Sequence, residues 1–370
     1  MWPPDQGAAD KQDLFMSIET LYRDAVELLK QLIAKPSFSR EEDKTAAILQ
    51  EFFLQKNIGT NRHLNNVWCV NKHFDKNKPA ILLNSHHDTV KPNSLYTRNP
   101  FEPVVEDGKL YGLGSNDAGG PLVSLIAAFI YFYSKADLKY NLVLAATAEE
   151  EISGVNGIES ILSFLPPIDS AIVGEPTQTN LAIAEKGLLV LDCVVHGIAG
   201  HAAREEGENA IYKSMKDIEW FRSFAFPKIS EALGPVKMSV TIFNTENKAH
   251  NIVPAQCNFV VDVRVTDAYT HEEILNTIKQ HVTCEVTARS MRMRSSKIDS
   301  HHPLVAAGLR LGKKSFGSPT TSDQALIPAP SLKCGPGDSA RSHTADEYIY
   351  LTEIKEGINT YIRILEAING

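Results

Sequence analysis

The amino-acid sequence predicts an α/β protein in which a mostly parallel sheet, flanked by helices, is interrupted by a smaller inserted domain. Between residues 67 and 174, apolar runs of strand length alternate with turns and helical patterns, which is typical of a sheet covered on both faces. From about residue 184 the order becomes βαββαβ, and past residue 295 the first pattern resumes. With 370 residues and 43% apolar content, the chain is long enough for two domains.

The first elements of the outer pattern follow from helical spacing and from residues that start or end helices. Apolar residues recur at helical spacing over residues 18–34, and Pro36 ends that helix. Ser39 and Glu42 form a predicted capping box ahead of a second helix. This second helix is predicted to run through Phe53.

The remaining helices of the outer pattern fall at residues 121–133 and 351–367. The stretch at 121–133 is the longest apolar run, and it is shorter than the roughly 20 residues that a membrane span needs. It therefore predicts a buried core helix. The predicted domain bounds are 1–183 for the first part of the catalytic domain, with a loose extension at 1–14, 184–294 for the inserted domain, and 295–370 for the second part of the catalytic domain.

The inserted segment has the element order of a ferredoxin-like domain. Its first helix carries apolar residues at helical spacing from Ile211 to Phe221, and its second helix is capped by Thr270 and Glu273. The four predicted strands lie at residues 187–196, 236–244, 257–267 and from about 284 onwards. Since this segment contains neither a triple glutamate nor a His-x-Asp sequence, we interpret it as a lid.

Composition bears on the partners, the redox environment and the location of the protein. The net charge of −8, without a Lys/Arg stripe that includes aromatic residues, argues against a nucleic-acid partner. The five cysteines are scattered and never form a CxxC pair, which indicates reduced thiols. The polar start of the chain does not read as a secretion signal. We therefore expect a cytoplasmic protein without a membrane association.

Histidines and carboxylates directly follow several predicted strands. Glu149-Glu150-Glu151 comes after the apolar run at residues 142–147. Three adjacent carboxylates are explained by a cation, by catalytic work or by an exposed acidic turn. The other residues in such positions are His86-His87-Asp88, Asp117, Glu175 and His343. Because the carboxyl ends of strands in α/β sheets converge on the ligand crevice, the sequence predicts a metal centre.

The types of residue at this centre suit two divalent ions if one carboxylate bridges them. Imidazole and carboxylate ligands without thiolate favour zinc and leave cobalt or manganese as alternatives. His86 and Asp88 point to the same side of an extended chain, so Asp88 is expected to orient His86 directly or through a turn. His87 points the other way and is predicted to be structural. One glutamate of the triple would bind metal while its neighbour serves as general base.

The motifs in their order resemble those of the two-zinc amidohydrolases, which include acetylornithine deacetylase, succinyl-diaminopimelate desuccinylase, aminoacylase and glutamate carboxypeptidase. The resemblance covers about residues 32–364. It rests on five segments in sequence: His86-His87-Asp88, Gly112-Leu113-Gly114 with Asp117 and Gly119-Gly120, Glu149-Glu150-Glu151, Gly174-Glu175-Pro176-Thr177, and Gly335-Pro336-Gly337-Asp338-Ser339 ahead of His343. The family often has Arg at Leu113 and Lys at Gly119, and an Asp at Glu149.

The resemblance implies roles for the residues at the centre. His86 and Glu175 would hold one zinc, Glu151 and His343 would hold the other, and Asp117 would bridge them through a loop with a cis peptide bond to Ala118. Glu150 would be the general acid/base that acts on a zinc-bridging water. Asp88 would be the residue that orients His86.

In the lid, the resemblance implies that His201 reaches the active site of a partner subunit and stabilises the oxyanion, so a homodimer through the lid is expected. Arg264 and Asn251 match positions that contact the substrate carboxylate. From the residues alone, Arg264 could instead pair with Asp262 or Asp267. Arg341 could bind a substrate carboxylate or a neighbouring acid.

The implied function is hydrolysis of the amide bond of an N-acylated amino acid. The Gly335–Ser339 and Gly174–Thr177 segments look most like the acetylornithine deacetylase branch, which acts in arginine biosynthesis; acylcitrulline or succinylornithine would also fit. Succinyl-diaminopimelate desuccinylase is the alternative, followed by a dipeptidase or aminoacylase. A hypothesis of another class, a binding protein that kept the fold and lost the chemistry, is disfavoured because all the proposed ligands and Glu150 are present.

Overall fold

The computed structural model describes residues 17–204 and 206–370, so the predicted extension at 1–14 lies outside the described residues. The chain forms two compact units. The first comprises the described part of Met1–Thr179 together with Arg310–Gly312 and Cys334–Gly370, and the second comprises Asn180–Leu309 and Lys313–Lys333. The catalytic and lid bounds read from the sequence stay predictions.

The helices and strands of the described residues are numbered here in chain order. The helices are α1 (Ile18–Ile33), α2 (Asp43–Gln55), α3 (Gly120–Tyr133), α4 (Ile158–Ile161), α5 (Ala210–Ser223), α6 (His271–His281), α7 (Pro303–Arg310) and α8 (Leu351–Asn369). The strands are β1 (Asn61–His63), β2 (Asn66–Val70), β3 (Ala80–His86), β4 (Val104–Glu106), β5 (Lys109–Tyr111), β6 (Asn141–Thr147), β7 (Ile168–Val173), β8 (Leu181–Glu185), β9 (Gly187–His196), β10 (Gly200–His201), β11 (Lys237–Thr245), β12 (Ile252–Val253), β13 (Gln256–Val265), β14 (Glu285–Ala288), β15 (Ser296–Lys297), β16 (Ser315–Ser318), β17 (Ser331–Lys333) and β18 (Tyr348–Tyr350).

The first unit is built on a sheet of order β1-β2-β6-β3-β7, with α1, α3 and α8 packed against one another. The central strand β3 runs parallel to both β6 and β7, and β2 is antiparallel to β6. Strands β3 and β6 are buried along their whole length, as expected for a covered sheet. The predicted α/β fold class is confirmed. A separate antiparallel sheet of order β18-β5-β4 lies in the same unit.

Helix α3 confirms the buried helix that the apolar run predicted. It begins with Pro121 in its first turn, where the missing N–H costs no hydrogen bond, and twelve of its residues are buried. A helix that is apolar on all sides has to be covered on all sides. Among the described residues, no helix is both long and apolar enough to cross a membrane.

The predicted capping box ahead of α2 is wrong. Helix α2 begins at Asp43, so Ser39 lies too far from the first turn, and the Ser39 hydroxyl donates instead to the Asp88 carboxylate at 2.7 Å. Glu42 accepts hydrogen bonds from the backbone N–H groups of Arg40 and Glu149. A tertiary network therefore uses both side chains that the local pattern assigned to the cap.

The second unit contains the predicted βαββαβ order, as β9-α5-β11-β13-α6-β14. Its four strands form an antiparallel sheet of order β11-β13-β9-β14. Along β9 and β13, buried and half-buried residues alternate, so one face packs against α5 and α6. The predicted capping box of Thr270 and Glu273 at the start of α6 is confirmed. The role of this sheet as a lid or in dimerisation stays a prediction.

Candidate metal centre

His86 ends β3 at the carboxyl edge of the sheet and is almost fully buried. Its Nδ1 lies 3.0 Å from the carbonyl oxygen of Asp88, so Nδ1–H donates and Nε2 is left as the free face of the ring. That Nε2 is buried and has no hydrogen-bond partner among the described residues. Three carboxylate oxygens approach it, from Asp117 at 3.4 Å, Glu150 at 3.8 Å and Glu175 at 3.9 Å.

Asp88 connects the His86 strand to the triple glutamate. Its buried carboxylate accepts the backbone N–H groups of Glu150 at 3.1 Å and Glu151 at 3.2 Å, as well as the Ser39 hydroxyl. Burial by itself would raise the pKa of Asp88, but hydrogen bonds from His86 and Ser39 hold it below its usual value. Asp88 therefore orients His86 mainly through its backbone carbonyl and the glutamates through its carboxylate.

The three adjacent glutamates have three different surroundings. Glu149 is buried, and its carboxylate accepts from the Asn156 side chain at 2.9 Å. Glu150 faces His86, and Glu151 Oε2 lies 2.9 Å from His343 Nε2. The side chains of Glu150 and Glu151 are only 12% and 7% exposed, which excludes the exposed acidic turn as their explanation.

Asp117 lies between the two histidines. Its Oδ1 is 3.4 Å from His86 Nε2, and its Oδ2 is 3.7 Å from His343 Nε2. The peptide bond from Asp117 to Ala118 is cis, as the resemblance implied. His343 has a backbone φ of 60°. The hydrogen bond to Glu151 raises the pKa of His343 to about 9.

The structure thus brings together all five residues that were predicted as ligands. Ligand atoms of His86, Asp117 and Glu151 lie within 4.8 Å of one another, as do those of His86, Glu150 and Glu175. Glu151 and Asp117 in turn connect this cluster to His343. Each residue offers a nitrogen or oxygen donor of the type that zinc, cobalt or manganese accepts.

The charge distribution requires a cation or protons at the centre. Burial by itself would lower the pKa of His86, but Glu150, Asp117 and Asp88 raise it well above the usual value. A buried imidazole nitrogen that faces only carboxylate oxygens is stable when a positive charge lies between them. The residues present therefore fit a divalent metal ion.

Glu347 is a component of the centre that the sequence analysis missed. It is 2% exposed, and its carboxylate accepts backbone N–H groups from the loop that carries Asp117. Burial and the Asp117 carboxylate raise the pKa of Glu347 to about 8, whereas the three N–H donors pull it down. The signal in the sequence is weak, since an acid directly ahead of the short strand β18 resembles any surface acid.

His87 confirms the structural role predicted for it. It is buried, with Nδ1 2.9 Å from the Thr45 hydroxyl and Nε2 2.9 Å from the Asn65 carbonyl. Burial lowers the pKa of His87 to about 4. Both ring nitrogens are thereby used in packing, away from the carboxylates that face His86.

Gly119, where the resembling family often has Lys, has no room for a side chain. A Cβ at Gly119 would lie 2.4 Å from the Gly114 carbonyl oxygen and 2.6 Å from a Leu29 methyl carbon. Both distances are far below van der Waals contact, so the start of α3 packs against α1 only with a glycine. Leu113, where the family often has Arg, is buried.

The predicted substrate residues lie mostly in the second unit. His201 is exposed and belongs to a two-stranded ribbon, and the backbone carbonyl of Asn251 accepts from Ala202 in the same ribbon. Arg264 forms a two-point ion pair with Asp262 at 2.8 and 3.0 Å, which was the alternative interpretation. The roles of His201, Asn251 and Arg264 toward substrate stay predictions.

In the first unit, Arg341 pairs with a neighbouring acid. Its guanidinium lies 2.6 Å from Glu353 and 5.0 Å from the centre of the Tyr348 ring. Of the two interpretations that the sequence left open, the structure shows the ion pair.

Comparison with known proteins identifies the class. Residues 82–367 match the peptidase family M20/M25/M40, so the chain belongs to that family. The resemblance read from the motifs is therefore confirmed.

Individual relatives are more distant. Succinyl-diaminopimelate desuccinylase 2 of Ruegeria sp. is 26% identical over 274 residues, which cover 70% of this chain and 69% of that protein. The crystal structure of a tripeptidase from Staphylococcus aureus matches with a TM-score of 0.77 at 20% identity over 94% of this chain and 98% of that one. A dinuclear metal-binding peptidase from Bacillus subtilis matches with a TM-score of 0.73 at 15% identity over 95% and 98% of the two chains.

Proposed function

We propose that this protein is a metal-dependent amidohydrolase that cleaves an N-acylated amino acid into a carboxylate and the free amine. The observation that carries the proposal is the buried Nε2 of His86, which faces carboxylates of Asp117, Glu150 and Glu175. A buried imidazole nitrogen surrounded by carboxylates matches a cation site. The dinuclear metal-binding relative supports two ions per chain. Zinc is the proposed metal, with cobalt or manganese as alternatives.

His86, Asp117, Glu151, Glu175 and His343 would hold the divalent ions, which would lower the pKa of a water molecule and polarise the substrate carbonyl. The Glu150 carboxylate, 3.8 Å from His86 Nε2, would take a proton from the attacking water and return it to the leaving amine. Asp88 holds the backbone of Glu150 and Glu151, which keeps the base and a ligand in a fixed relation.

Three substrate classes are each supported by a different observation. The Gly335–Ser339 and Gly174–Thr177 segments favour N-acetylornithine, with acylcitrulline or succinylornithine as close variants, and hence a place in arginine biosynthesis. The desuccinylase relative favours an N-succinyl amino acid such as succinyl-diaminopimelate. The tripeptidase similarity keeps peptides as a further alternative.

The test is amine release from the purified protein supplied with zinc or cobalt. The panel holds acetylornithine, acetylcitrulline, succinylornithine, succinyl-diaminopimelate and several dipeptides. We expect one clear preference among the acylated amino acids and its loss with a chelator. Two ions bound per chain without any turnover would contradict the substrate class alone. Neither bound metal nor turnover would contradict the whole proposal.

We also propose that the protein forms a homodimer through its second unit, with β11 at the contact. Among the described residues, β11 has one neighbouring strand, so its outer edge offers unpaired backbone groups. It exposes Ile242 and Phe243, at 47% and 42%. An edge strand that repeats itself across a two-fold axis is a common dimer contact.

The mass measured by light scattering tests this dimer. Ile242→Lys should shift the protein from dimer to monomer, because it places a charge in the contact. Ile229→Lys, which changes another exposed isoleucine of the second unit, serves as the matched control and should leave the mass unchanged. A monomeric wild-type protein would contradict the proposal.

A further inference from the structure

Glu347 lies directly ahead of a short strand next to the candidate metal centre. It directly precedes β18, which pairs with β5 in an antiparallel register. Its own backbone carbonyl accepts from Gly112 at 2.9 Å. A side chain that is 2% exposed and attached to a paired strand has little freedom to move.

The Glu347 carboxylate is surrounded by backbone N–H groups of a single loop. One oxygen accepts from Gly114 at 3.0 Å, and the other accepts from Asn116 at 2.8 Å and Asp117 at 2.9 Å. Neighbouring backbone N–H groups that point to one place form an anion-binding concavity. Here the anion comes from the chain itself, 230 positions away from Asp117.

This loop determines where the Asp117 carboxylate lies. The two Asp117 oxygens approach His86 and His343 at 3.4 and 3.7 Å, so a small rotation of the loop would withdraw one of them. On its other side, the loop is attached through Asn116, whose side chain exchanges hydrogen bonds of 3.0 Å with both backbone groups of Asp338. Glu347 supplies three further hydrogen bonds to the loop.

We propose that Glu347 is a positioning residue of the metal centre. Its carboxylate orders the backbone of residues 114–117 before metal arrives, so that Asp117 presents one oxygen toward each histidine. The inference rests on the proposed function, because it assigns Asp117 to the metals. If Glu347 had a purely structural role, replacing it would instead lower the stability of the protein and leave the metal affinity of the folded protein unchanged.

The first test measures metal binding by the Glu347→Gln variant. Glutamine has nearly the same shape, but its amide nitrogen donates, so at least one loop N–H would face another donor. We expect the Zn²⁺ affinity, measured by competition with a coloured chelator, to fall about 10–100-fold. We also expect a changed visible absorption spectrum of the Co²⁺-loaded protein.

The matched control is Asp217→Asn in the second unit. Asp217 is buried and likewise accepts backbone N–H groups, from Thr283 and Cys284 at 2.9 Å each. This variant should lower the thermal midpoint of the metal-free protein without changing the Zn²⁺ affinity or the Co²⁺ spectrum. A Glu347→Gln protein that behaves in the same way would overturn the proposal.

If the Glu347→Gln variant does not fold, two further measurements still test the proposal. Glu347→Asp keeps the charge but is one methylene shorter, so it should fold and bind Zn²⁺ more weakly than the wild type; wild-type affinity would overturn the proposal. In the metal-free wild type, amide hydrogen exchange at Gly114, Asn116 and Asp117 should be slow. Exchange there as fast as in an exposed loop would overturn it too.

The metal-binding measurement on the wild type and on Glu347→Gln distinguishes a failure of the proposed function from a failure of the positioning role of Glu347. If the wild-type protein binds no Zn²⁺ or Co²⁺, the proposed function fails and the positioning role fails with it. If the wild type binds metal and Glu347→Gln binds it equally well, only the role of Glu347 fails.

Discussion

Buried carboxylates occur in both units, but with different neighbours. In the second unit, Glu185 is fully buried and lies 3.0 Å from the Lys333 ammonium group, while Asp217 accepts backbone N–H groups. In the first unit, Asp117 and Glu150 share their surroundings with other acids and with His86 Nε2, which has no hydrogen-bond partner in the part of the chain that the structure describes. Buried charges that are paired internally serve the fold, whereas a cluster of like charges has to be neutralised by protons or by a bound cation.

The difference also appears in two buried histidines. His271 in the second unit donates from Nδ1 to the Met291 carbonyl, and burial lowers its pKa. His86 is equally buried, yet the carboxylates around it raise its pKa well above the usual value. Burial alone favours the neutral ring, so the opposite direction at His86 measures how strongly its surroundings attract positive charge.

The largest expected effect is the loss of catalytic activity in the Glu150→Gln variant. The amide cannot take a proton from water, so the turnover number with the preferred substrate should fall by about 10²–10⁴. Metal content should stay at the wild-type value. Steady-state kinetics and metal analysis check both, and Glu159→Gln, an exposed glutamate of the same unit, is the control. Full activity in Glu150→Gln would refute the assignment of the base.

The second effect concerns the core of the other unit. Ile274 is fully buried between α6 and the four-stranded sheet. Replacing it with Ala should reduce the free energy of unfolding by about 2–5 kcal/mol, through lost burial and a cavity. Urea unfolding followed by circular dichroism measures this change. The Zn²⁺ affinity of the folded variant should be unchanged, and a parallel loss of affinity would contradict the separation of the two roles.

The third effect is stabilisation by metal. Zinc at about 100 times its dissociation constant should add roughly 2.7 kcal/mol to the free energy of unfolding, because it binds the folded state. The gain should be reduced or lost in His86→Ala, since this removes the buried nitrogen that faces the carboxylates. Unfolding curves with zinc and with chelator test it. An equal gain in the free energy of unfolding in the wild type and in His86→Ala would show that zinc binds at another site.

The smallest effect is a pH dependence from His271. Its pKa in the folded protein lies below the unfolded value of 6.5, because burial disfavours the charged ring. As the pH falls, the unfolded state therefore takes up the proton first. The contribution of the neutral His271 ring to the free energy of unfolding is fully present above about pH 6.5 and is lost as the pH falls below that value. In the metal-free protein, unfolding at pH 7.5 and 5.5 should show a smaller pH dependence for His271→Gln than for wild type. Identical pH dependences would contradict this.

Much of the candidate site could be predicted, because several of its residues lie at or shortly after the end of a strand whose apolar pattern is local. Asp117 and His343 do not, since they lie six and ten positions beyond β5 and β17. His86 ends β3, and Glu150 and Glu175 come shortly after β6 and β7. These strands are parallel neighbours, so their ends have to meet at one edge of the sheet. The same local reasoning worked for the capping box of Thr270 and Glu273.

Contacts between distant segments could not be predicted in this way. Glu347 and the Asp117 loop are about 230 positions apart, and nothing in the sequence near Glu347 indicates its partner. Ser39 met the pattern of a helix cap, but it binds Asp88, 49 positions away. For Arg264 and Arg341 the sequence was compatible with an ion pair to an acid or with a contact to substrate, and the structure shows ion pairs with Asp262 and Glu353.

Patterns in the sequence predicted the α/β class, the βαββαβ order of the second unit and the histidines and carboxylates of the candidate metal centre. The first two depend on periodicity within a few positions, whereas the role assigned to each side chain of the centre came from the resemblance to the family. Folding decides which carboxylate accepts the N–H groups of the Asp117 loop, which glutamate of the triple contacts Asn156, and which acid each arginine pairs with. Hydrogen bonds and ion pairs act over about 3 Å, so their partners are known only once the chain has brought distant residues together.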